Sequence, residues 1–112
     1  FRSGTVEADY GQDVVVDSDG KIFIVGHTGG DLDGAGNAGT RINFNYDIFI
    51  AKFDTDGSEI WIKQFGTSDV DWGMGISTGQ NGEIVITGHT TGDLSGTTDG
   101  AGMDAYIGRL YP

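Results

Sequence analysis

Asp19-Gly20-Lys21-Ile22-Phe23-Ile24-Val25-Gly26-His27-Thr28-Gly29-Gly30-Asp31-Leu32 returns 62 residues later (81 minus 19) as Asn81-Gly82-Glu83-Ile84-Val85-Ile86-Thr87-Gly88-His89-Thr90-Thr91-Gly92-Asp93-Leu94. Self-similarity at a fixed offset marks a repeat architecture, in which each unit buries its apolar face against a neighbour. The copy extends both ways. Upstream, Asp9-Tyr10-Gly11 matches Asp71-Trp72-Gly73 and Gly4-Thr5 matches Gly66-Thr67 at the same offset. Downstream, Tyr46-Asp47-Ile48-Phe49-Ile50-Ala51-Lys52-Phe53 matches Met103-Asp104-Ala105-Tyr106-Ile107-Gly108-Arg109-Leu110 at an offset of 57 (103 minus 46). The difference, five residues (62 minus 57), is an insertion around positions 40–45 of the first copy.

Twenty-one Gly and a single Pro among 112 residues argue against helices, because each Gly in a helix interior costs about 1 kcal/mol relative to Ala. The apolar residues fall instead in short runs rich in Val, Ile, Phe, Tyr and Trp, bounded by Gly, Asp and Thr, which is the pattern of short strands between tight turns. The expected fold class is all-β. Strands are expected at 13–17, 21–27, 46–53 and 59–65, answered by 75–78, 83–89 and 103–110. The second and third of each set carry apolar residues on consecutive positions, such as Ile22-Phe23-Ile24-Val25, so both of their faces must be covered. Glu59-Ile60-Trp61-Ile62-Lys63-Gln64-Phe65 is mixed, as an outer strand with a charge-protected edge should be. Asp19-Gly20, Asp56-Gly57 and Asn81-Gly82 lie between strands, where such pairs tolerate positive φ and close hairpins.

These runs form a meander with the strand count of a propeller blade. The motifs Asp-x-Asp-Gly-x-Ile-x-Ile-x-Gly-x-Thr (17–28 in first-copy form), Gly-Asp-Leu-x-Gly, Tyr46-Asp47-Ile48-Phe49-Ile50-Ala51-Lys52-Phe53-Asp54-x-Asp56-Gly57 and Trp61-Ile62-Lys63-Gln64-Phe65-Gly66-Thr67 resemble the bacterial seven-bladed β-propeller repeat (SBBP-type repeats), from about Gly4 to Leu110. The resemblance implies two four-stranded antiparallel blades, the second incomplete, in a secreted or surface-exposed protein; it implies no catalytic set. Residues 1–66 read as the first repeat, with the tail of a preceding fourth strand at 1–5, and residues 67–112 as the second, lacking its fourth strand. Two units cannot close a ring, so the expected partners are other copies of the chain or the remaining blades of a longer propeller.

Seventeen Asp and Glu against six Lys and Arg leave a net charge of -11, a field that repels nucleic-acid phosphates and anionic lipid. No apolar run approaches the roughly 18 residues of a spanning helix, so membrane insertion is not expected. The absence of Cys excludes disulfides, a thiolate nucleophile and a thiolate zinc site. No Gly-Lys-Ser/Thr phosphate loop occurs.

Chemistry concentrates in two acidic loops, 30–37 and 92–102, with Asp47 and Asp104 at the return. Carboxylates and carbonyls on Gly-rich chain suit calcium, and Asp31, Asp33, Asp47, Asp93, Asp99 and Asp104 are the candidate ligands. Asx-turns use the same residues for local hydrogen bonds. His27 and His89 occupy equivalent positions, which favours a structural role over a ring of imidazoles binding a transition metal. Trp61 and Trp72 read as core or inter-blade packing rather than sugar platforms. The insertion places Arg41, Ile42 and Phe44 in a loop found in one copy only, and apolar residues beside a cation on a repeat's loop face are the composition of a partner contact. The function these observations favour is a non-catalytic interaction or assembly scaffold, extracellular or at the cell surface. A glycan-binding lectin, with pockets in the duplicated Gly-His-Thr to Gly-Asp-Leu segment, and a fragment of a propeller lyase or hydrolase stay open as alternatives.

Overall fold

The computed structural model describes residues 8–30, 46–67, 69–92 and 103–111. The chain is all-β, as its composition requires, with one 3-10 turn, at Gln80–Gly82, among the described residues. Strands β1 (Asp9–Val16), β2 (Ile22–Thr28), β3 (Asp47–Phe53) and β4 (Glu59–Phe65) form a four-stranded antiparallel meander, and β5 (Asp71–Thr78), β6 (Ile84–Thr90) and β7 (Asp104–Leu110) form a three-stranded one. Among the described residues no helix is long and apolar enough to cross a membrane.

The first strand of each sheet begins four residues earlier than expected, at Asp9 rather than 13 and at Asp71 rather than 75. In both sheets the pairing register slips, between Gly11 and Asp13 and again between Gly73 and Gly75, a bulge at the same place in each copy. A bulge lets an irregular segment stay in the ladder at the expense of alternation, so the period-2 pattern fails there while the strand continues. Gly26 and Gly88 make room for it: a Cβ at either would run into the carbonyl oxygen of Tyr10 or Trp72 on the bulged strand.

The hairpins follow their turn chemistry. Gly20 and Gly57 have φ of 80° and 86°, and at the third hairpin both Asn81 (60°) and Gly82 (76°) are left-handed. Asp17 Oδ1 accepts the N–H groups of Asp19 and Lys21, each at 2.9 Å, and Asp56 Oδ1 accepts that of Ser58 at 2.9 Å. These aspartates therefore serve Asx-turns. Lys21 Nζ meets Asp54 Oδ1 at 2.8 Å and ties the β1–β2 and β3–β4 turns together.

The two sheets share one core. Phe23, Val25, Ile48 and Ile50 of the first pack with Ile76, Ile84 and Ile86 of the second, and Val15, Trp61, Tyr106 and Leu110 close the margin. Trp61 is thus core packing, as expected. A second cluster, Phe49, Ala51 and Phe53 with Ile22, Ile24 and Ile62, occupies the other face of the first sheet. The repeat offsets explain this division. Ile84, Ile86, Tyr106 and Leu110 are the equivalents of Ile22, Ile24, Phe49 and Phe53 (84 minus 62, 86 minus 62, 106 minus 57, 110 minus 57). What is the back of the first sheet is, one repeat later, the layer that packs on the first sheet's front. The arrangement is front to back.

β5 lies across β1, β2 and β3. The approach is close: a Cβ at Gly73 would sit 2.5 Å from the Gly26 carbonyl oxygen and 2.8 Å from Val25 Cγ2. Asp13 Oδ2 accepts the Ile76 N–H across the interface at 3.0 Å, and the Asp71 N–H donates to the Tyr46 carbonyl at 2.8 Å.

Candidate functional site

An antiparallel meander brings the starts of its odd strands and the ends of its even strands to one rim. On that rim stand Asp9, Asp47, Asp71 and Asp104 at strand starts and Thr28 and Thr90 at strand ends, with His27 and His89 one residue in. Asp47 lies opposite Thr28 in the ladder and Asp104 opposite Thr90. The rim is the candidate site, and among its described carboxylates Asp71 is the most deeply buried, at 0% exposure.

Such a carboxylate is tolerated only when its oxygens are bonded. Asp71 accepts from the Thr67 N–H at 2.6 Å, from Thr67 Oγ1 at 3.1 and 3.2 Å, and from Thr90 Oγ1 at 2.5 Å. Thr90 Oγ1 in turn accepts the Gly92 N–H at 2.9 Å. The relay recurs in the first copy, where Thr28 Oγ1 donates to Asp9 at 2.5 Å and accepts from the Gly30 N–H at 3.0 Å. The flanking loop bonds match as well, Gly29 N–H to the Ala8 carbonyl and Thr91 N–H to the Val70 carbonyl, both at 2.9 Å. In each repeat an Asp–Thr–Gly relay thus locks the start of the first strand to the loop leaving the second.

Asp9, Asp71, Thr28 and Thr90 were not among the residues the sequence singled out for chemistry. Their signal was present in the paired Asp9-Tyr10-Gly11 and Asp71-Trp72-Gly73 and in the shared Gly-His-Thr. It went unread because the members of the relay stand about 19 residues apart in sequence.

Of the six candidate calcium ligands, Asp47 and Asp104 are described. Asp47 is buried at 1% exposure, with Gln64 Nε2 at 3.3 Å from Oδ2, and the same Nε2 donates to the Gly30 carbonyl at 2.8 Å. Asp104 is half-buried at the start of β7. Asp31, Asp33, Asp93 and Asp99 lie outside the described residues, as do Arg41, Ile42 and Phe44. Among the described residues no three His, Asp or Glu side chains are placed to hold a metal ion. The structure instead brings Asp47 beside Asp71: both border Gly66, where a Cβ would stand 2.6 Å from Asp47 Oδ1 and 2.6 Å from Asp71 Oδ2.

His27 is buried between the sheets. Its ring clusters with those of Tyr10 (5.0 Å) and Tyr46 (5.2 Å), which are themselves 5.8 Å apart, while Nδ1 has no hydrogen-bond partner. Burial, ahead of any other influence, holds its pKa below the ordinary value, with His89 acting in the same direction. His89 repeats the stacking with Trp72, ring centroids 4.6 Å apart. Among the described residues neither imidazole is hydrogen-bonded to a carboxylate. Tyr106, whose hydroxyl donates to the Trp72 carbonyl at 2.8 Å, has its pKa raised by burial and then by the charge of Asp71.

The second sheet's front presents an open groove of about 350 Å³ lined by Gly75, Ser77, Val85, Thr87 and Ile107, with Asp13 at its margin. Val85 and Thr87 stand where the first sheet has Phe23 and Val25 (85 minus 62, 87 minus 62), so the same face is shallower and more polar. Ile107 is 81% exposed, whereas its equivalent Ile50 (107 minus 57) is 3% exposed beneath the second sheet. No family profile matches the chain, and no curated protein matches it.

Proposed function

We propose that the chain is a non-catalytic β-propeller repeat module, extracellular or at the cell surface, that works as an interaction and assembly scaffold. The observation that carries this reading is the front-to-back packing of the two sheets on repeat-equivalent residues, with Ile107 standing uncovered where Ile50 is buried. Packing of that sense continues from unit to unit, and a unit's faces are satisfied only by neighbours. The rim supports the same reading, because its polar groups recur in both repeats as locks between strand and loop. Residues needed in every unit serve the unit's build.

In this reading the neighbours are other copies of the chain or further blades of the same kind, and the insertion with Arg41, Ile42 and Phe44 supplies a contact of its own. Sedimentation velocity of the 112-residue chain is the test: assemblies larger than 11.8 kDa are expected at micromolar concentration. A cooperatively folded, monodisperse monomer there defeats the assembly reading. Replacing Arg41, Ile42 and Phe44 together by Ser is expected to weaken assembly at least tenfold while the β circular-dichroism signal stays. Calcium belongs to the proposal as the ion that orders the acidic loops through Asp31, Asp33, Asp47, Asp93, Asp99 and Asp104. It requires a larger rise in melting temperature with calcium than with sodium at equal ionic strength.

A further inference from the structure

We propose that Asn81 is a site of spontaneous covalent modification, at which ring closure onto the following backbone nitrogen expels ammonia and leaves aspartate or isoaspartate in the turn between β5 and β6. The only co-reactant is water. Hydroxide takes the proton of the Gly82 N–H, and the nitrogen bonds to Asn81 Cγ. The bond from Cγ to the side-chain nitrogen then breaks, and ammonia leaves with a proton from water. The resulting five-membered imide takes up one water. Opening at Cγ gives aspartate and opening at the main-chain carbonyl carbon gives isoaspartate, so one amide and one water end as one carboxylate and one ammonium ion.

Asp-Gly or Asn-Gly closes each of three described hairpins, and the surroundings distinguish them. At Asp19-Gly20 the Asp17 carboxylate accepts the N–H groups of Asp19 and Lys21, each at 2.9 Å, and the Gly20 N–H donates to the Asp17 carbonyl at 3.1 Å. At Asp56-Gly57 the Ser58 hydroxyl and then the Ser58 N–H hold the Asp56 carboxyl below the usual carboxylate range, and the Gly57 N–H donates to the Asp54 carbonyl at 2.9 Å. An ionised carboxylate resists a nucleophile that an uncharged amide admits. Asn81 has the amide, and its turn has lost the tie: the equivalent of Asp17 is Gly79 (17 plus 62), without a side chain. The Glu83 N–H, which corresponds to that of Lys21, reaches the Gln80 carbonyl at 3.4 Å instead.

Nor is the approach obstructed. Asn81 and Gly82 are exposed, and among the described residues nothing lies within 4 Å of where a Gly82 Cβ would be. Both are left-handed, with φ of 60° and 76°, a region these two residue types tolerate. Asn37, Asn43 and Asn45 precede Ala38, Phe44 and Tyr46, whose side chains crowd the attacking nitrogen; the three asparagines lie outside the described residues. The products differ in consequence. Aspartate gives the second turn the acidic residue that the first has at Asp19 (81 minus 62). Isoaspartate adds a backbone carbon to a loop whose length sets the pairing of Thr78 with Ile84.

The test incubates the full chain in water enriched in heavy oxygen, in mildly acidic and in mildly alkaline buffer, and follows each asparagine by peptide mass spectrometry with electron-transfer fragmentation. In alkaline buffer Asn81 is expected to convert at least tenfold faster than Asn37, Asn43 or Asn45, to take up one heavy oxygen, and to yield isoaspartate together with aspartate. Acidic buffer should slow it at least tenfold, because less of the Gly82 N–H gives up its proton. Asp19→Asn supplies a control within one chain: the amide at position 19, in the turn tied by Asp17, is expected to convert at least threefold more slowly than Asn81. Asp17→Gly in that variant should remove the difference. Gly82→Ala should slow conversion at Asn81 at least tenfold. Aspartate without isoaspartate means direct hydrolysis and overturns the ring closure. A rate at Asn81 no greater than at the other asparagines, or equal rates at Asn81 and at position 19 of Asp19→Asn, overturns the proposal as well. The chemistry proceeds in monomer and assembly alike, so neither outcome bears on the assembly reading.

Discussion

The carboxylate of Asp13 in the first sheet accepts the backbone N–H of Ile76 in the second, Oδ2 to N, at 3.0 Å. It is a side-chain-to-backbone bond between the repeats, and it satisfies a donor on the edge strand β5. Asp13 also accepts the Val14 N–H at 2.9 Å through Oδ1, which fixes the carboxylate's orientation. Because Asp13 is exposed, its loss is screened: Asp13→Ala is expected to destabilise the fold by about 1 kcal/mol, and Asp13→Asn, which keeps an acceptor, by about half of that. The midpoint of urea unfolding followed by Trp fluorescence measures both.

Thr90→Val leaves Asp71 buried with one donor fewer and takes the acceptor from Gly92 N–H. The expected cost is about 2 kcal/mol, and Asp71→Ala, which strands three donors, should cost about 3 kcal/mol or more. Asp9 is only half-buried, so Thr28→Val is expected to cost less than Thr90→Val. Equal or inverted costs in thermal unfolding would mean that burial of the carboxylate does not set the strength of the relay.

Gly66→Ala places a methyl carbon 2.6 Å from an oxygen of each of two buried carboxylates, and Asp71 is held in place by Thr67 and Thr90. An insertion that its neighbours cannot yield to costs about 1–3 kcal/mol, and the upper end is expected here. Gly57→Ala is the contrast. Nothing lies within 4 Å of its Cβ, so only the positive φ of 86° opposes it, at about 1 kcal/mol. Denaturant midpoints of the two variants should therefore rank Gly66→Ala as the less stable.

Stability should fall on acidification through the range just below pH 6.5, on account of His27. Its folded pKa is depressed by burial, so between that value and the unfolded one of 6.5 the unfolded chain binds more protons than the folded chain. Stability then rises with pH across this window and reaches its full value above it. His27→Gln should flatten the slope of unfolding free energy between pH 7.5 and 5.5. If the slope persists in that variant, the proton binds elsewhere.

The all-β class and the strand set could be read from the chain because they rest on patterns that repeat: consecutive apolar residues in β2 and β3, Gly at the hairpins, and the matched segments at 19–32 and 81–94; the front-to-back packing of the sheets emerged only from the structure. The bulges could not, since Gln12 and Met74 break the alternation on which strand recognition depends. Nor could the Asp–Thr–Gly relay. Its members lie about 20 residues apart, Asp9 with Thr28 and Asp71 with Thr90, and only antiparallel pairing brings them together. The closeness of Asp47 to Asp71 depends on a glycine, whose missing side chain leaves no trace in a hydropathy pattern.

Front-to-back stacking gives the molecule a polarity, like that of a filament with two unlike ends. Two sheets joined back to back would form a closed pair, and a third could be added only by inventing a new interface. Here the surface that Ile84, Ile86 and Leu110 offer downward is the one Ile22, Ile24 and Phe53 offer one step earlier, so in-frame tandem duplication of a single gene segment lengthens the stack without redesign. Growth of that kind ends only by a closing rotation or by a capping residue. Thr87 in place of Val25, and Val85 in place of Phe23, give the front of the second sheet a different surface from the one the first sheet presents.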